Sequence, residues 1–192
     1  MARQNNLRLR LFYKSVICLF AKISFVTLSD MSQILWQSLA ALGSFLMMEA
    51  WAWFMHKYLL HGPFWFLHKS HHEPHKGWLE WNDVVSVFNA LVAMGLIMHG
   101  IEYNALTLGV GIGITAYGFV YFLFHDVIIH RRIKFKQRYK SSYINRLIRA
   151  HKMHHKHLRR EDGEAFGFLY APKKYAVTRV EDPRKVQDTV GA

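Results

Sequence analysis

Hydrophobic positions along the chain gather into three long runs instead of alternating or one-sided stripes. The first covers residues 34–54 and holds one formal charge, Glu49. The second covers 84–101 and holds no Asp, Glu, Lys or Arg, while the third, 105–124, is rich in glycine and aromatic residues and stays uncharged until Asp126. A helix at the surface of a soluble domain keeps a polar face, and the second and third runs have none. At 1.5 Å per residue, about 18 apolar residues approach the roughly 30 Å hydrocarbon thickness of a bilayer. The pattern therefore predicts three transmembrane helices. Only Glu102, Tyr103 and Asn104 separate the second run from the third, which predicts an antiparallel hairpin.

Charge orients these spans. The net charge is +12 with histidine neutral, and residues 131–160 alone hold twelve Lys/Arg and no Asp or Glu. Lys57, Lys69 and Lys76 follow the first run. The positive-inside rule places both regions in the cytoplasm and the Glu102 turn on the far side. Segments on either side of the hairpin then meet at one membrane face. Residues 1–30 carry Arg3, Arg8, Arg10, Lys14 and Lys22 around an apolar stretch, and we set them apart as a basic extension before a 31–172 membrane domain and a polar 173–192 tail. The expected fold class is all-α, an integral-membrane helical bundle with a histidine-rich cap.

That face collects the chemistry. Cys18 is the only cysteine, so neither an internal disulfide nor a thiolate metal site is available. Of 13 histidines, ten fall into four motifs: His56/His61 and His125/His130 as HxxxxH, and His68/His71/His72 and His151/His154/His155 as HxxHH. Positions i, i+3 and i+4 share a helix face, so each triplet is expected to aim its imidazoles at one point. The i, i+5 pairs do not align on an α-helix; they belong where a helix ends or bends, or they serve different ions. Ten imidazoles exceed the needs of one ion and suit two, and imidazole is compatible with iron, zinc, copper or nickel. His99, inside the second run, and His157, off the triplet face, are expected to be structural or surface residues. His75, after the helix-breaking Pro74, is a candidate near the site. Glu49 is expected either to hydrogen-bond a ligand imidazole or to bridge two helices. Asn82 and Asp83 precede the second run as helix caps or imidazole partners, and Asp126, next to His125, is expected either to orient an imidazole or to be a helix-end charge. The aromatic residues Trp51, Trp53, Phe64, Trp65 and Trp78 are candidates to line a substrate path.

The stretches MEAWAWFMHKYLLHG, HKSHHEPHKGWLEWND, TAYGFVYFLFHDVIIHRR, RAHKMHHKH and FGFLYAP closely resemble those of the bacterial-type β-carotene hydroxylases, within the fatty-acid hydroxylase/sterol desaturase superfamily. The resemblance spans about residues 47–172. It implies a membrane helical bundle whose cytoplasmic cap holds two non-haem Fe ions, with His56, His61, His68, His71, His72, His125, His130, His151, His154 and His155 as ligands. It further implies O2-dependent hydroxylation of β-ionone rings at C3, giving β-cryptoxanthin and zeaxanthin, with electrons from reduced ferredoxin. The expected location is the bacterial inner membrane, with the histidines on the cytoplasmic face. The rival readings are a fatty-acid or sterol hydroxylase, a carotenoid ketolase, and a non-enzymatic membrane metal-binding protein. The basic block also has the composition of a nucleic-acid surface, but His151, His154 and His155 are interleaved with its charges. Anionic lipid headgroups are the better counter-charge, and no nucleic acid is expected as a partner.

Overall fold

The protein is described here by a computed structural model that covers residues 14, 30–73, 77–133, 139–158, 161 and 163–176. Most of the 1–30 extension, His75 and most of the 173–192 tail therefore lie outside the described residues. Among the described residues from 30 onward, five helices follow one another: α1 (Asp30–Leu60), α2 (Trp65–His72), α3 (Asp83–Tyr103), α4 (Ala105–Ile129) and α5 (Ser142–His154). A 3-10 turn at Lys173–Tyr175 follows, and no strand occurs among the described residues. The regular structure of the described residues is all helical, as expected.

Helices α1, α3 and α4 contain 31, 21 and 25 residues, each enough to cross a bilayer. Their outward faces are apolar and exposed, for example Leu35, Trp36 and Leu42 on α1, Phe88 and Leu91 on α3, and Phe119 on α4. In water such a surface would be costly; against lipid it is the expected one. Asn104 makes the α3–α4 turn, and its side chain accepts from the Leu106 and Thr107 amides at 2.9 and 3.3 Å, capping α4.

The glycines of the third run set how closely the helices pack. A Cβ at Gly109 or Gly113 would collide with the α1 backbone at Gln37 or Ala41, and one at Gly111 would strike Ile97 of α3. Helices in lipid gain their contact from such close backbone approach. Ser44 adds a hydroxyl bond across the α1–α4 seam to the Val110 carbonyl at 3.2 Å.

Both HxxxxH pairs stand on π-helical turns, Met55–Leu60 and Phe122–Ile129. A π turn bonds residue i to i+5, and here those bonds join the paired histidines: His61 N–H donates to the His56 carbonyl at 3.0 Å and His130 N–H to the His125 carbonyl at 2.9 Å. This widening brings together side chains that an α-helix would separate. Helix α5 is amphipathic, with Leu147, Ala150, His151 and His154 buried at the spacing of one helical stripe. Its apolar residues pack with Ala171 and Tyr175 in the core beneath the cap.

Candidate metal centre

All ten motif histidines converge at the end of the bundle opposite Asn104. Their ring nitrogens form two groups, each with its members' ligating atoms within 4.8 Å of one another: His56, His61, His68, His72 and His154, and His71, His125, His130 and His151. His155 stands between the groups, with Nε2 2.8 Å from His151 Nε2 and its ring stacked 4.3 Å from His72. The pairs therefore stay together and the triplets divide, which corrects the expectation that each HxxHH aims at a single point. Successive residues on an α-helix point about 100° apart, so His71 and His72 diverge, as do His154 and His155.

Most rings are oriented through Nδ1. In the first cluster His56 donates to the Phe166 carbonyl (2.9 Å), His61 to the Leu158 carbonyl (3.1 Å), His154 to the Glu164 carbonyl (3.1 Å) and His68 to Asn82 Oδ1 (2.7 Å). In the second, His71 donates to Glu80 Oε2 and His125 to Asp126 Oδ1, both at 2.9 Å. A carbonyl oxygen can only accept, so these bonds put the proton on Nδ1 and leave a lone pair on Nε2. Yet His56 and His68 bring their Nε2 atoms to 3.0 Å, and His61 and His154 to 3.2 Å. Two facing lone pairs at that distance repel unless a cation lies between them. His71 Nε2, also left with a lone pair, is buried and has no hydrogen-bond partner. The donor set thus fits metal ions at both clusters.

Burial and repulsion between neighbouring rings hold these imidazoles neutral. His68 and His130 are pushed down to about 3, His72 and His154 to about 2 and His155 to about 4, with burial the leading cause in every case. The neutral ring is the form that ligates.

The supporting residues only partly match the sequence expectations. Asn82 makes no cap bond with its side chain and instead holds His68. Asp83 accepts from the Glu80 amide at 2.9 Å and from Nη2 and Nη1 of Arg132 at 2.9 and 3.1 Å. Arg132 also reaches Glu80 (3.1 Å) and Asp126 (3.6 Å). Glu49 touches no imidazole; it bridges helices through Tyr117 (2.8 Å) and accepts the Phe168, Leu169 and Tyr170 amides at 2.9, 2.9 and 3.3 Å. It thereby pins the segment whose Glu164 and Phe166 carbonyls orient His154 and His56. Sequence reasoning missed Glu80 and Arg132, although Glu80 lies in the same WLEWND stretch as Asn82 and Asp83. His99 is exposed on α3 beside Tyr103, and neither it nor His157 joins a cluster.

A cavity of about 560 Å³ runs between α1, α3 and α4. Ile97 and Ile114 line its depth, Met48, Met55 and Phe122 its walls, and His56, His68 and Phe168 its top. Phe168 lies parallel over the His56 ring at 5.3 Å and edge-on to His125 at 5.3 Å, so one aromatic side chain touches both clusters. Of the five aromatic residues expected along a path, Trp51 lines this cavity; Trp53, Phe64 and Trp78 are exposed, and Trp65 packs on His61 and His72.

Comparison with known proteins places this arrangement. Residues 41–172 match the fatty acid hydroxylase family. A protein named β-carotene hydroxylase from Pantoea ananas is 41% identical over 138 residues, 72% of this chain and 79% of that one. Its namesake from Pseudescherichia vulneris is 42% identical over 136 residues (71% and 77%), and that of Paracoccus sp. strain PC1 is 36% identical over 158 (77% and 98%). No solved structure matches. The chain belongs to the fatty acid hydroxylase family.

Proposed function

We propose that this hydroxylase is a membrane non-haem di-iron monooxygenase acting on β-carotene, hydroxylating the β-ionone ring at C3 to give β-cryptoxanthin and then zeaxanthin. The observation that carries the reading is the largely apolar cavity that lies between the three long helices and reaches His56 and His68. Its volume falls within the range of ligand pockets, and its walls suit a rigid hydrocarbon rather than a charged chain. The relatives' shared name supplies the substrate.

His56, His61, His68, His72 and His154 would hold one iron. His71, His125, His130, His151 and His155 would hold the other. When bound, the iron pair supplies the activation of O2 for insertion into a C–H bond, with electrons from a ferredoxin-type donor. The protein's part is position and dryness. Met48, Met55 and Phe122 sheathe the hydrocarbon, and Phe168 closes the top of the cavity beneath both clusters. The Nδ1 bonds of His56, His61, His68, His71, His125 and His154 fix those rings in the orientation that keeps Nε2 directed inward. The exposed cations Arg149 and Lys152 at the histidine end favour a cytoplasmic cap set against anionic headgroups of a bacterial inner membrane.

The test is pigment analysis after expression in a β-carotene-producing host. Accumulation of zeaxanthin with β-cryptoxanthin as intermediate is expected. Unchanged β-carotene, or keto products, overturns the reading, and hydroxylated fatty acid or sterol would assign a sister activity of the superfamily.

A further inference from the structure

The two clusters are oriented by acceptors of different charge. Among the described residues, every Nδ1 partner in the five-histidine cluster is neutral: three backbone carbonyls and the Asn82 amide oxygen. In the four-histidine cluster the partners of His71 and His125 are the carboxylates Glu80 and Asp126. These carboxylates belong to one knot, for Arg132 ion-pairs with both and forms a two-pronged bond to Asp83. Asp83 in turn accepts the Glu80 amide. Three carboxylates meet one guanidinium, so the knot keeps negative charge beside His71 and His125.

A carboxylate accepting from a ligand imidazole makes the opposite nitrogen more basic and strengthens its bond to a metal. A neutral carbonyl does so less. We propose that the two metal positions are inequivalent: Glu80 and Asp126 make the His71–His125–His130–His151 position the tighter and more electron-rich of the two, and Arg132 with Asp83 positions them. This rests on the metal-binding reading given above. Glu80, Asp126, Asp83 and Arg132 are positioning residues, because they reach a metal only through an imidazole or through one another.

The experiment is an anaerobic Fe2+ titration of the full chain in detergent against a competing chelator, with Mössbauer spectra of the 57Fe-loaded protein. Two equivalents of unequal affinity and two distinct iron signals are expected. Glu80→Gln keeps an oxygen that can accept from His71 but removes the charge. It should weaken the tighter equivalent roughly tenfold to a hundredfold and shift one signal only. Asn82→Asp, which places a carboxylate behind His68, should tighten the looser equivalent. His61→Ala should delete that looser equivalent, identifying it with the neutral-backed cluster. Equal affinities in the unaltered protein overturn the inference, as does equal weakening of both equivalents in Glu80→Gln or a looser second equivalent in Asn82→Asp. Equal binding of two irons leaves the metal reading standing, whereas an unaltered chain that binds no iron overturns that reading as well.

Discussion

The five-histidine cluster is oriented largely by the main chain after α5, through the carbonyls of Leu158, Glu164 and Phe166. The four-histidine cluster is oriented by side chains where α3 begins and α4 ends, through Glu80 and Asp126 with Arg132 between them. The first depends on where a connecting segment is held, and Glu49, reaching up from α1, holds it. The second depends on charge balance within a small, half-buried knot. The same imidazole chemistry is therefore exposed to different failures. A displaced segment threatens one cluster, and an unbalanced charge threatens the other.

The strongest way to break this comparison is to remove one histidine from each cluster. His61→Ala and His130→Ala should each reduce zeaxanthin formation below detection in the carotenoid-producing host, while His99→Ala and His157→Ala remain active. Normal pigment from either of the first two variants would show that its cluster is not needed. Next in size is Arg132→Gln, which leaves Glu80, Asp83 and Asp126 without their shared cation. Stranding these half-buried carboxylates should cost about 1–3 kcal/mol, to be read from thermal unfolding in detergent. A loss below about 1 kcal/mol would mean that the knot is not a unit.

Acidification should affect both clusters, because each contains rings held far below the ordinary histidine value of about 6.5. Once unfolded, these rings take up protons that the folded chain refuses. Stability of the metal-free protein should therefore be full above that value and fall as pH drops through it. The loss should continue toward the folded values of about 4 for His155, 3 for His68 and His130, and 2 for His72 and His154. Helical circular dichroism against pH measures this, and a loss that began only on the alkaline side would contradict it.

The smallest effect belongs to the main-chain cluster alone. Ala165 has φ 57°, a left-handed conformation that costs an L-residue about 1 kcal/mol or more, and it lies between the two carbonyls that orient His154 and His56. Ala165→Gly should raise thermal stability by about 1 kcal/mol, and destabilisation would show that the alanine methyl matters more than the backbone. Arg131, with φ 54°, makes the corresponding turn on the other side, directing Arg132 back so that its amide donates to the Asp126 carbonyl at 2.9 Å.

Much of this was legible in the sequence. The three spans were visible because lipid demands unbroken apolar runs, and α1, α3 and α4 contain those runs with longer ends. The ten histidines stood out because their spacing recurs in order on both sides of the hairpin. Which ring joins which cluster was not legible. A HxxHH motif places three imidazoles near one another, but only the approach of other helices decides that His71 faces His125 while His72 faces His61. The π turns were hidden as well, since MHKYLL and FLFHDVII carry no proline or glycine to announce a change of helical pitch. Backbone acceptors leave no trace in side-chain chemistry, so the roles of Leu158, Glu164 and Phe166 could not be read from residue type.

By itself, the order of residues determined an all-helical membrane chain with ten histidines gathered at one end, because hydropathy and periodicity are local properties that tertiary contacts seldom reverse. Only the folded structure decided the two clusters, the neutral acceptors behind one and the carboxylates behind the other. Those features depend on contacts between residues up to 110 positions apart, such as His56 with Phe166, and no local pattern encodes them.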